Sequence, residues 1–149
     1  MGSAAAGALI TAALGTPIIG FLLSPIVAGR EPVVERLVGY VGGLPEGVPV
    51  RFVVSFPQNA WRVPEEKHTV YVVRSGDSFR VFSNVCSHMQ CPVHWEEDIH
   101  QFLCPCHGGL YSLEGRNLGG PPPKPLPEYV HRIDSQQMLY VQNRLTESI

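Results

Sequence analysis

Hydrophobic residues dominate the start of the chain, where residues 1–29 are all apolar or small and the first charged side chain is Arg30. About 20 consecutive apolar residues span the hydrocarbon core of a bilayer, so this segment is long enough for a tilted transmembrane helix. A cleaved secretory signal peptide is the alternative, but such a peptide normally begins with basic residues and has a shorter apolar part. The pattern therefore predicts one membrane-spanning anchor over residues 1–29.

Residues 30–47 are rich in glycine and proline and separate the apolar segment from the rest of the chain. This composition disfavours a long rigid element and is typical of a flexible linker, although residues 33–41 still permit a short helical or extended piece. We therefore predict a flexible tether over residues 30–47, with a hinge formed by four glycines: Gly39, Gly42, Gly43 and Gly47.

From residue 48 onward, β-branched and aromatic runs alternate with turn residues, which indicates a series of short strands joined as hairpins. The proline-rich segment 119–126 is unsuited to a paired central strand and is predicted to be a stiff loop. The pattern therefore predicts an antiparallel all-β domain over residues 48–149. Its predicted strands cover residues 50–54, 69–74, 79–82, 93–96, 101–103, 110–113, 129–133 and 138–141.

Length and charge narrow the classes of function. With 149 residues in total, the chain has room for one small domain after the apolar segment. The net charge is −2, and the sequence contains no cluster of basic residues. A nucleic-acid partner would require a basic surface, so the sequence argues against one.

Two short loops contain all four cysteines of the chain and two of its six histidines. One residue separates Cys86 from His88, and two residues separate Cys104 from His107. Two thiolates and two imidazoles can bind a [2Fe–2S] cluster, with one iron on sulfur and the other on nitrogen. A structural zinc site is the alternative, but its ligands usually follow C-x₂₋₄-C and H-x₃₋₅-H spacings. The loops therefore predict an iron–sulfur electron-transfer site with these four residues as ligands.

The predicted imidazole ligands affect the chemistry of such a site. Two neutral imidazoles in place of thiolates reduce the negative charge around the iron pair, which raises the reduction potential above that of all-cysteine clusters. The outer ring nitrogens of His88 and His107 can also bind and release protons. Electron transfer would then be coupled to proton transfer, which suits a partner that gives up both.

One cysteine remains in each loop once the four ligands are assigned. Cys91 and Cys106 can bond to each other and fix the two loops together, and two free buried thiols are the alternative. A structural disulfide persists outside the reducing cytosol and contributes about 2–4 kcal/mol to a small domain. We predict the bridge, because a crosslink at this position supports the geometry of the site.

The two loops read C-S-H-M-Q-C and C-P-C-H-G-G-L-Y, and they are followed by G-G-P-P-P-K-P-L. Together with the apolar N-terminus, these motifs resemble the Rieske iron–sulfur subunit of bacterial cytochrome bc-type quinol:cytochrome c oxidoreductases, in particular the menaquinol branch. The resemblance extends over nearly the whole chain. It implies a Rieske-type antiparallel β head with a [2Fe–2S] cluster, preceded by one transmembrane helix. Cys86 and Cys104 would then bind the buried iron, and His88 and His107 the outer iron.

The resemblance also implies roles for residues around the cluster. His107, with His88 and Met89 beside it, would contact quinol and accept its proton, and the Tyr111 hydroxyl would donate to a ligand sulfur. Gly109 stands where high-potential members have a serine that hydrogen-bonds a bridging sulfide. A hydrogen bond to a charged acceptor contributes about 1.5–3 kcal/mol, so its loss would lower the potential by roughly 60–130 mV and suit menaquinol. The implied proline loop over the cluster contains Gly120, Pro121, Pro122, Pro123 and Pro125. In the first loop, Met89-Gln90 replaces a usual Leu-Gly pair.

The implied function is electron transfer within a dimeric membrane complex. The head would take one electron and a proton from membrane quinol, bound in a cytochrome b subunit, and swing on its tether to a c-type cytochrome. The anchor would lie in the cytoplasmic membrane, with the head on its outer side. The alternative is the small Rieske subunit of an exported arsenite-oxidase-like molybdoenzyme, which co-purifying subunits would distinguish. A soluble ferredoxin would need neither the anchor nor the disulfide.

Overall fold

The computed structural model describes residues 2–27, 32–60 and 63–146. The chain divides between Pro32 and Val33 into a helical N-terminal unit and a β-sheet unit, which is called the head below. The predicted fold class, an antiparallel all-β domain preceded by one apolar helix, is confirmed.

The N-terminal unit is the helix α1, which covers Gly2–Val27. Its segment Ala6–Ser24 is long and apolar enough to cross a membrane. The Thr16 hydroxyl donates to the Ala12 carbonyl at 2.7 Å, so this polar group is satisfied within the helix, as a hydrocarbon environment requires. Three residues of the predicted anchor lie outside the described part of the chain: residues 1, 28 and 29.

Ten strands form the head within the described residues, and they are arranged in three antiparallel sheets. The first sheet has the order β1-β10-β9, the second β2-β3-β4 and the third β5-β6-β7-β8. The strands are β1 (Glu35–Tyr40), β2 (Val50–Ala60), β3 (Val63–Ser75), β4 (Ser78–Ser83), β5 (His94–Glu96), β6 (Gln101–Cys104), β7 (Gly109–Tyr111), β8 (Asn117–Gly119), β9 (Tyr129–Ile133) and β10 (Met138–Leu145).

Residues 70–73 of strand β3 are buried on both faces and contribute to two hydrophobic cores. Val70 and Val72 belong to the base core, which also contains residues of β1, β2, β4, β9 and β10 or adjoining them. Tyr71 and Val73, which alternate with them, belong to a second core that we call the tip core. Successive side chains of a strand point to opposite faces, so one apolar run serves both cores. The other buried members of the tip core are Phe82, Cys86, Val93, Phe102, Cys104, Tyr111 and Leu126.

Arg80 on β4 connects the second sheet to the turn that follows β7. Its guanidinium pairs with Glu128 at 2.6 Å, donates to the Glu114 carbonyl at 2.6 Å and lies over the Phe82 ring. A guanidinium has several donors in a fixed fork, so one side chain can satisfy both acceptors. Arg80 thereby links the second sheet to the turn between β7 and β8 of the third sheet.

The structure contradicts the prediction of a flexible tether over residues 30–47. Residues 35–40 form β1, which pairs with β10. Val34 exchanges two hydrogen bonds with Asn143, and Val41 is fully buried in the base core. The head therefore begins near residue 33 rather than residue 48. Residues 30 and 31 lie outside the described residues.

The predicted hinge glycines all lie within the head: Gly39, Gly42, Gly43 and Gly47. A Cβ atom at Gly42 would lie 2.6 Å from the Tyr40 hydroxyl oxygen and 3.1 Å from Gln137 Cβ, so this glycine lies in a packed turn. Gly47 has a φ angle of 68°, which favours glycine, and donates its N–H to the Arg74 carbonyl at 3.0 Å. A glycine-rich composition suits a packed turn as well as a linker, and here it forms the turn.

Replacing Glu35 with glutamine tests the ion pair that joins β1 to Arg132 on β9. Glu35 accepts two hydrogen bonds from Arg132, at 2.6 and 2.9 Å, which lower the pKa of this carboxyl from 4.5. A lowered folded-state pKa stabilises the fold above the unfolded pKa, and the gain disappears as the pH falls through the folded one. We therefore expect a lower melting temperature than wild type at neutral pH, with the difference closing below pH 4.5.

Thermal unfolding of the detergent-solubilised chain measures this effect, with Glu97→Gln as an exposed-carboxylate control on the turn between β5 and β6. Equal melting temperatures for Glu35→Gln and wild type at pH 7 would argue that the pair of Glu35 with Arg132 adds no stability to the head.

Candidate metal centre

Two neighbouring loops contain the cysteines and the two histidines singled out by the sequence. The first loop connects β4 to β5, and the second connects β6 to β7. In the first, the Gln90 N–H donates to the Cys86 carbonyl at 3.0 Å, and the Cys86 N–H donates to the Cys91 carbonyl at 2.9 Å. In the second, the Gly108 N–H donates to the Cys104 carbonyl at 3.1 Å. Each loop is therefore a closed turn that begins at a buried cysteine.

Gln90 adopts the backbone conformation that the usual glycine would favour. Its φ angle is 60°, in the left-handed region, where a residue with a Cβ atom costs about 1–2 kcal/mol. The hydrogen bond from its N–H to Cys86 keeps the turn closed in spite of this cost. The first loop thus retains its turn without a glycine.

A disulfide between Cys91 and Cys106 joins the two loops, as predicted from the sequence. The sulfur atoms of Cys91, Cys104 and Cys106 lie within 4.8 Å of one another. Two of these sulfurs are bonded to each other, so only Cys104 retains a thiol that can bind metal. The crosslink therefore lies directly beside a predicted ligand.

Two free thiols and two imidazoles complete the site. Cys86 and Cys104 are both free thiols and are 1% and 2% exposed. The rings of His88 and His107 are exposed, and their centroids are 5.0 Å apart. The four predicted ligands thus form a buried sulfur pair and an exposed nitrogen pair, with one of each from either loop. This donor set fits a [2Fe–2S] cluster with sulfur on one iron and nitrogen on the other.

The two thiols differ in acidity. Burial raises the pKa of Cys86, but hydrogen bonds from Tyr111 and from the N–H groups of His88 and Met89 outweigh it, so this pKa lies below 9.0. Burial and the neighbouring Cys86 sulfur raise the pKa of Cys104 above 9.0. The thiolate is the form that binds metal, so Cys86 is the first of the pair to reach it.

Tyr111 is fully buried next to the sulfur pair. Its hydroxyl oxygen lies 3.2 Å from the Cys86 sulfur. Burial and the contact with Cys86 raise the pKa of Tyr111 to about 12. The phenol therefore stays protonated at neutral pH and can donate its proton to the sulfur.

The proline-rich loop contacts both cysteine loops. On one side, the Ser87 hydroxyl of the first loop donates to the Lys124 carbonyl at 2.7 Å. On the other side, a Cβ atom at Gly120 would lie 2.8 Å from the Gly108 carbonyl oxygen of the second loop. Gly120 has a φ angle of 85°, so glycine is needed for both its conformation and its close approach.

Comparison with known proteins establishes the family, because the sequence model of the Rieske [2Fe-2S] domain matches residues 38–130. The chain belongs to the Rieske family. The menaquinol:cytochrome c reductase iron-sulfur subunit of Bacillus subtilis (strain 168) is 34% identical over 134 residues, which cover 85% of this chain and 78% of that relative. The cytochrome b6-f complex iron-sulfur subunit of Chlorobaculum thiosulfatiphilum is 30% identical over 133 residues, which cover 89% of this chain and 67% of that relative.

Among solved structures, the chain is similar to the cyanobacterial plasma membrane Rieske protein PetC3 of Synechocystis PCC 6803. It is 22% identical, with a TM-score of 0.49, and the match covers 70% of this chain and 97% of that one. The predicted family and its [2Fe–2S] cofactor are confirmed by the family match. The apolar helix α1 supports single-pass membrane anchoring of this Rieske protein.

Gly109 of this Rieske head is packed against the proline loop. A Cβ atom there would lie 2.6 Å from Cγ and 3.1 Å from Cδ of Pro122, and 3.5 Å from Cβ of Cys104. Both Gly109 and Pro122 are buried, so neither can move aside into solvent. The proline ring thus occupies the space that a serine side chain would need.

Replacing Gly109 with serine is therefore expected to destabilise the head rather than simply add a hydrogen bond. Overpacking of a buried site costs about 1–3 kcal/mol. Adding Pro122→Ala removes both clashing ring atoms and should recover most of this loss. Urea unfolding of the detergent-solubilised chain measures the free energies. Gly119→Ser is the control, since a Cβ there meets nothing within 4 Å. A Gly109→Ser variant as stable as Gly119→Ser would contradict the packing argument.

Sequence reasoning missed two residues that fix the proline loop. Ser87 contacts the Lys124 carbonyl and the Tyr111 hydroxyl, and Asn117 donates its amide N–H to the Pro122 carbonyl. A hydroxyl residue between two predicted ligands was a usable signal for Ser87. Nothing in the local sequence indicates Asn117, because its partner becomes adjacent only when the loop folds back.

Proposed function

We propose that this Rieske protein is the iron–sulfur subunit of a membrane quinol:cytochrome c oxidoreductase. It would take an electron from quinol, and from menaquinol in particular, and deliver it to a c-type haem. The main support is the exposed imidazole pair of His88 and His107 next to the buried thiols, in a chain that begins with an apolar helix. The relative from Bacillus subtilis, named a menaquinol:cytochrome c reductase subunit, supports the same assignment.

Four residues would hold the cofactor in this proposal. Cys86 and Cys104 would bind one iron, and His88 and His107 would bind the other. When bound, the [2Fe–2S] cluster supplies a one-electron redox couple. The buried thiols exclude water from the sulfur side, while the exposed rings leave the imidazole side open to a substrate.

The outer face of His107 would bind the quinol hydroxyl by a hydrogen bond and accept its proton, with His88 as a second proton-binding ring. Met89 directly follows His88 in the chain, and its side chain is 65% exposed. Its apolar side chain would pack against the quinol or the wall of its pocket. Because the imidazoles are exposed, a proton held on either ring could pass directly to solvent.

The assembly we propose contains a cytochrome b subunit and a c-type cytochrome, in a dimeric complex. The helix α1 lies in the cytoplasmic membrane, and the Cys91–Cys106 disulfide favours a position of the head on the outer side. Any movement of the head between quinol and haem would involve the whole unit from Val33 onward. The glycines first assigned to a hinge would move with it.

Menaquinol is favoured because no hydroxyl group is present at Gly109. A lost hydrogen bond to the cluster lowers its potential, which matches a low-potential quinol. Pro122 reinforces this arrangement, since it fills the space in which a serine would stand.

The proposed quinol contact is tested by two matched variants of the exposed apolar surface. Met89→Glu should lower quinol-dependent reduction of cytochrome c in membranes, because it places a charge on the exposed surface directly after His88. Ile99→Glu should leave the rate unchanged, since Ile99 is 49% exposed on the turn before β6, at the opposite end of that strand from Cys104. Both variants should keep the Rieske electron paramagnetic resonance signal. Equal rates for the two variants would reject the contact.

The proton coupling is tested by redox titration of the full-length protein. A midpoint potential that falls as the pH rises supports imidazoles that bind protons on reduction. A pH-independent midpoint would count against proton-coupled transfer at this site.

A further inference from the structure

The Tyr111 hydroxyl has three polar neighbours, and two of them belong to Ser87. Its oxygen lies 3.2 Å from the Cys86 sulfur, 3.2 Å from the Ser87 backbone nitrogen and 3.3 Å from the Ser87 hydroxyl oxygen. The tyrosine is fully buried, so its bonding partners are set by the protein. Ser87 is thus placed to influence how the phenol bonds to the sulfur.

Counting the protons assigns each of these contacts. The Lys124 carbonyl only accepts, so the Ser87 hydroxyl donates its single proton to it at 2.7 Å. The Ser87 N–H donates to the Tyr111 oxygen. One phenolic proton remains, and two acceptors lie at nearly the same distance from it: the Cys86 sulfur and the Ser87 hydroxyl oxygen.

We propose that Ser87 is a positioning residue that sets the strength of the hydrogen bond from Tyr111 to Cys86. Its N–H holds the phenol oxygen in place, while its hydroxyl oxygen competes with the sulfur for the phenolic proton. The contact with Lys124 strengthens this competition, because a hydroxyl that donates becomes a better acceptor. The proline loop thereby influences the ligand sulfur through Ser87.

This inference rests on the proposed role of Cys86 as a ligand. A hydrogen bond to a ligand sulfur favours the more negative, reduced form of the site, so its strength affects the reduction potential. Ser87 therefore lowers the potential by drawing part of the phenolic proton away from Cys86. It acts in the same direction as the absent hydroxyl at Gly109.

The test is the midpoint potential of the full-length, cluster-containing protein and its Ser87→Ala variant. Removing the competing oxygen should raise the reduction equilibrium constant by roughly threefold to tenfold, the range expected for one neutral hydrogen bond. At 59 mV per factor of ten for one electron, this is a rise of about 30–60 mV. Ser87→Thr and Ser87→Val form a second, matched pair that differs only in the hydroxyl. The valine variant should show the rise and the threonine variant should not.

The same substitutions in a Tyr111→Phe background separate this role from a structural one. Without the phenol there is no proton to share, so Ser87→Ala should leave the midpoint of the Tyr111→Phe protein unchanged. An equal shift in both backgrounds would show that Ser87 acts only by holding the proline loop. An unchanged or lower midpoint for both the alanine and the valine variant with Tyr111 present would overturn the proposal.

The outcome for Tyr111→Phe alone tests the underlying ligand assignment. A lower midpoint supports a ligand sulfur at Cys86. An unchanged midpoint in that variant would reject the assignment itself, independently of any result at position 87.

Discussion

Replacing Cys104 with alanine is expected to abolish binding of the [2Fe–2S] cluster. Cys104 is 2% exposed, so neither water nor another side chain can take the place of its sulfur without a large rearrangement. An iron with only three ligands in a buried site leaves an unsatisfied charge, which is costly at low dielectric constant. Iron and sulfide content per chain, together with the visible and electron paramagnetic resonance spectra, measures the loss.

The matched control is the double variant Cys91→Ala/Cys106→Ala. It removes two sulfur atoms from the same two loops, one more than Cys104→Ala, but leaves all four proposed ligands in place. This variant should still bind the cluster when freshly prepared. Full cluster content in Cys104→Ala would show that the ligand set is wrong.

The second large effect is expected from the same double variant, in stability rather than in cluster content. The disulfide closes a loop with a sequence separation of 15 residues. A crosslink over a loop of this length stabilises the folded state by about 3 kcal/mol, mainly by restricting the unfolded chain. We therefore expect Cys91→Ala/Cys106→Ala to lose about this much free energy of unfolding.

Urea unfolding of the detergent-solubilised chain, with and without a thiol reductant, measures the disulfide contribution. The reductant should destabilise the wild type by a similar amount and have no effect on the double variant. If the reductant destabilised both proteins equally, the loss would not come from this bond.

The strands that the sequence predicts correctly are those whose information is local. The run 69–74 and its return at 79–82 correspond to β3 and β4, and the turn between them includes Gly76 with a φ angle of 60°. For β1 the sequence permits an extended piece over residues 33–41 but does not predict a strand, because ERLVGY has no regular alternation. Its stability depends on β10, a partner about a hundred residues later in the chain, and no local pattern reports such pairing.

The site shows the same division between local and distant information. Ligand chemistry depends on residue type and spacing, so the two loops and the disulfide could be predicted before any fold was known. The packing of Pro122 on Gly109 could not, because it depends on how a loop 13 residues downstream folds back. The contact between Ser87 and Lys124 joins residues 37 positions apart for the same reason.

Strand β3 has a consequence for how this head can change over evolutionary time. Tyr71 and Val72 are neighbours in the chain but pack in different cores, so substitutions at adjacent positions affect opposite faces of this strand. Substitutions at alternate positions, such as Val70 and Val72, must be compatible with each other because both side chains pack in the same core. The tip core, which contains the proposed ligands Cys86 and Cys104, can therefore change with a new electron donor while the residues of the base core stay the same. The two faces of one strand can thus evolve under separate selection within a single small domain.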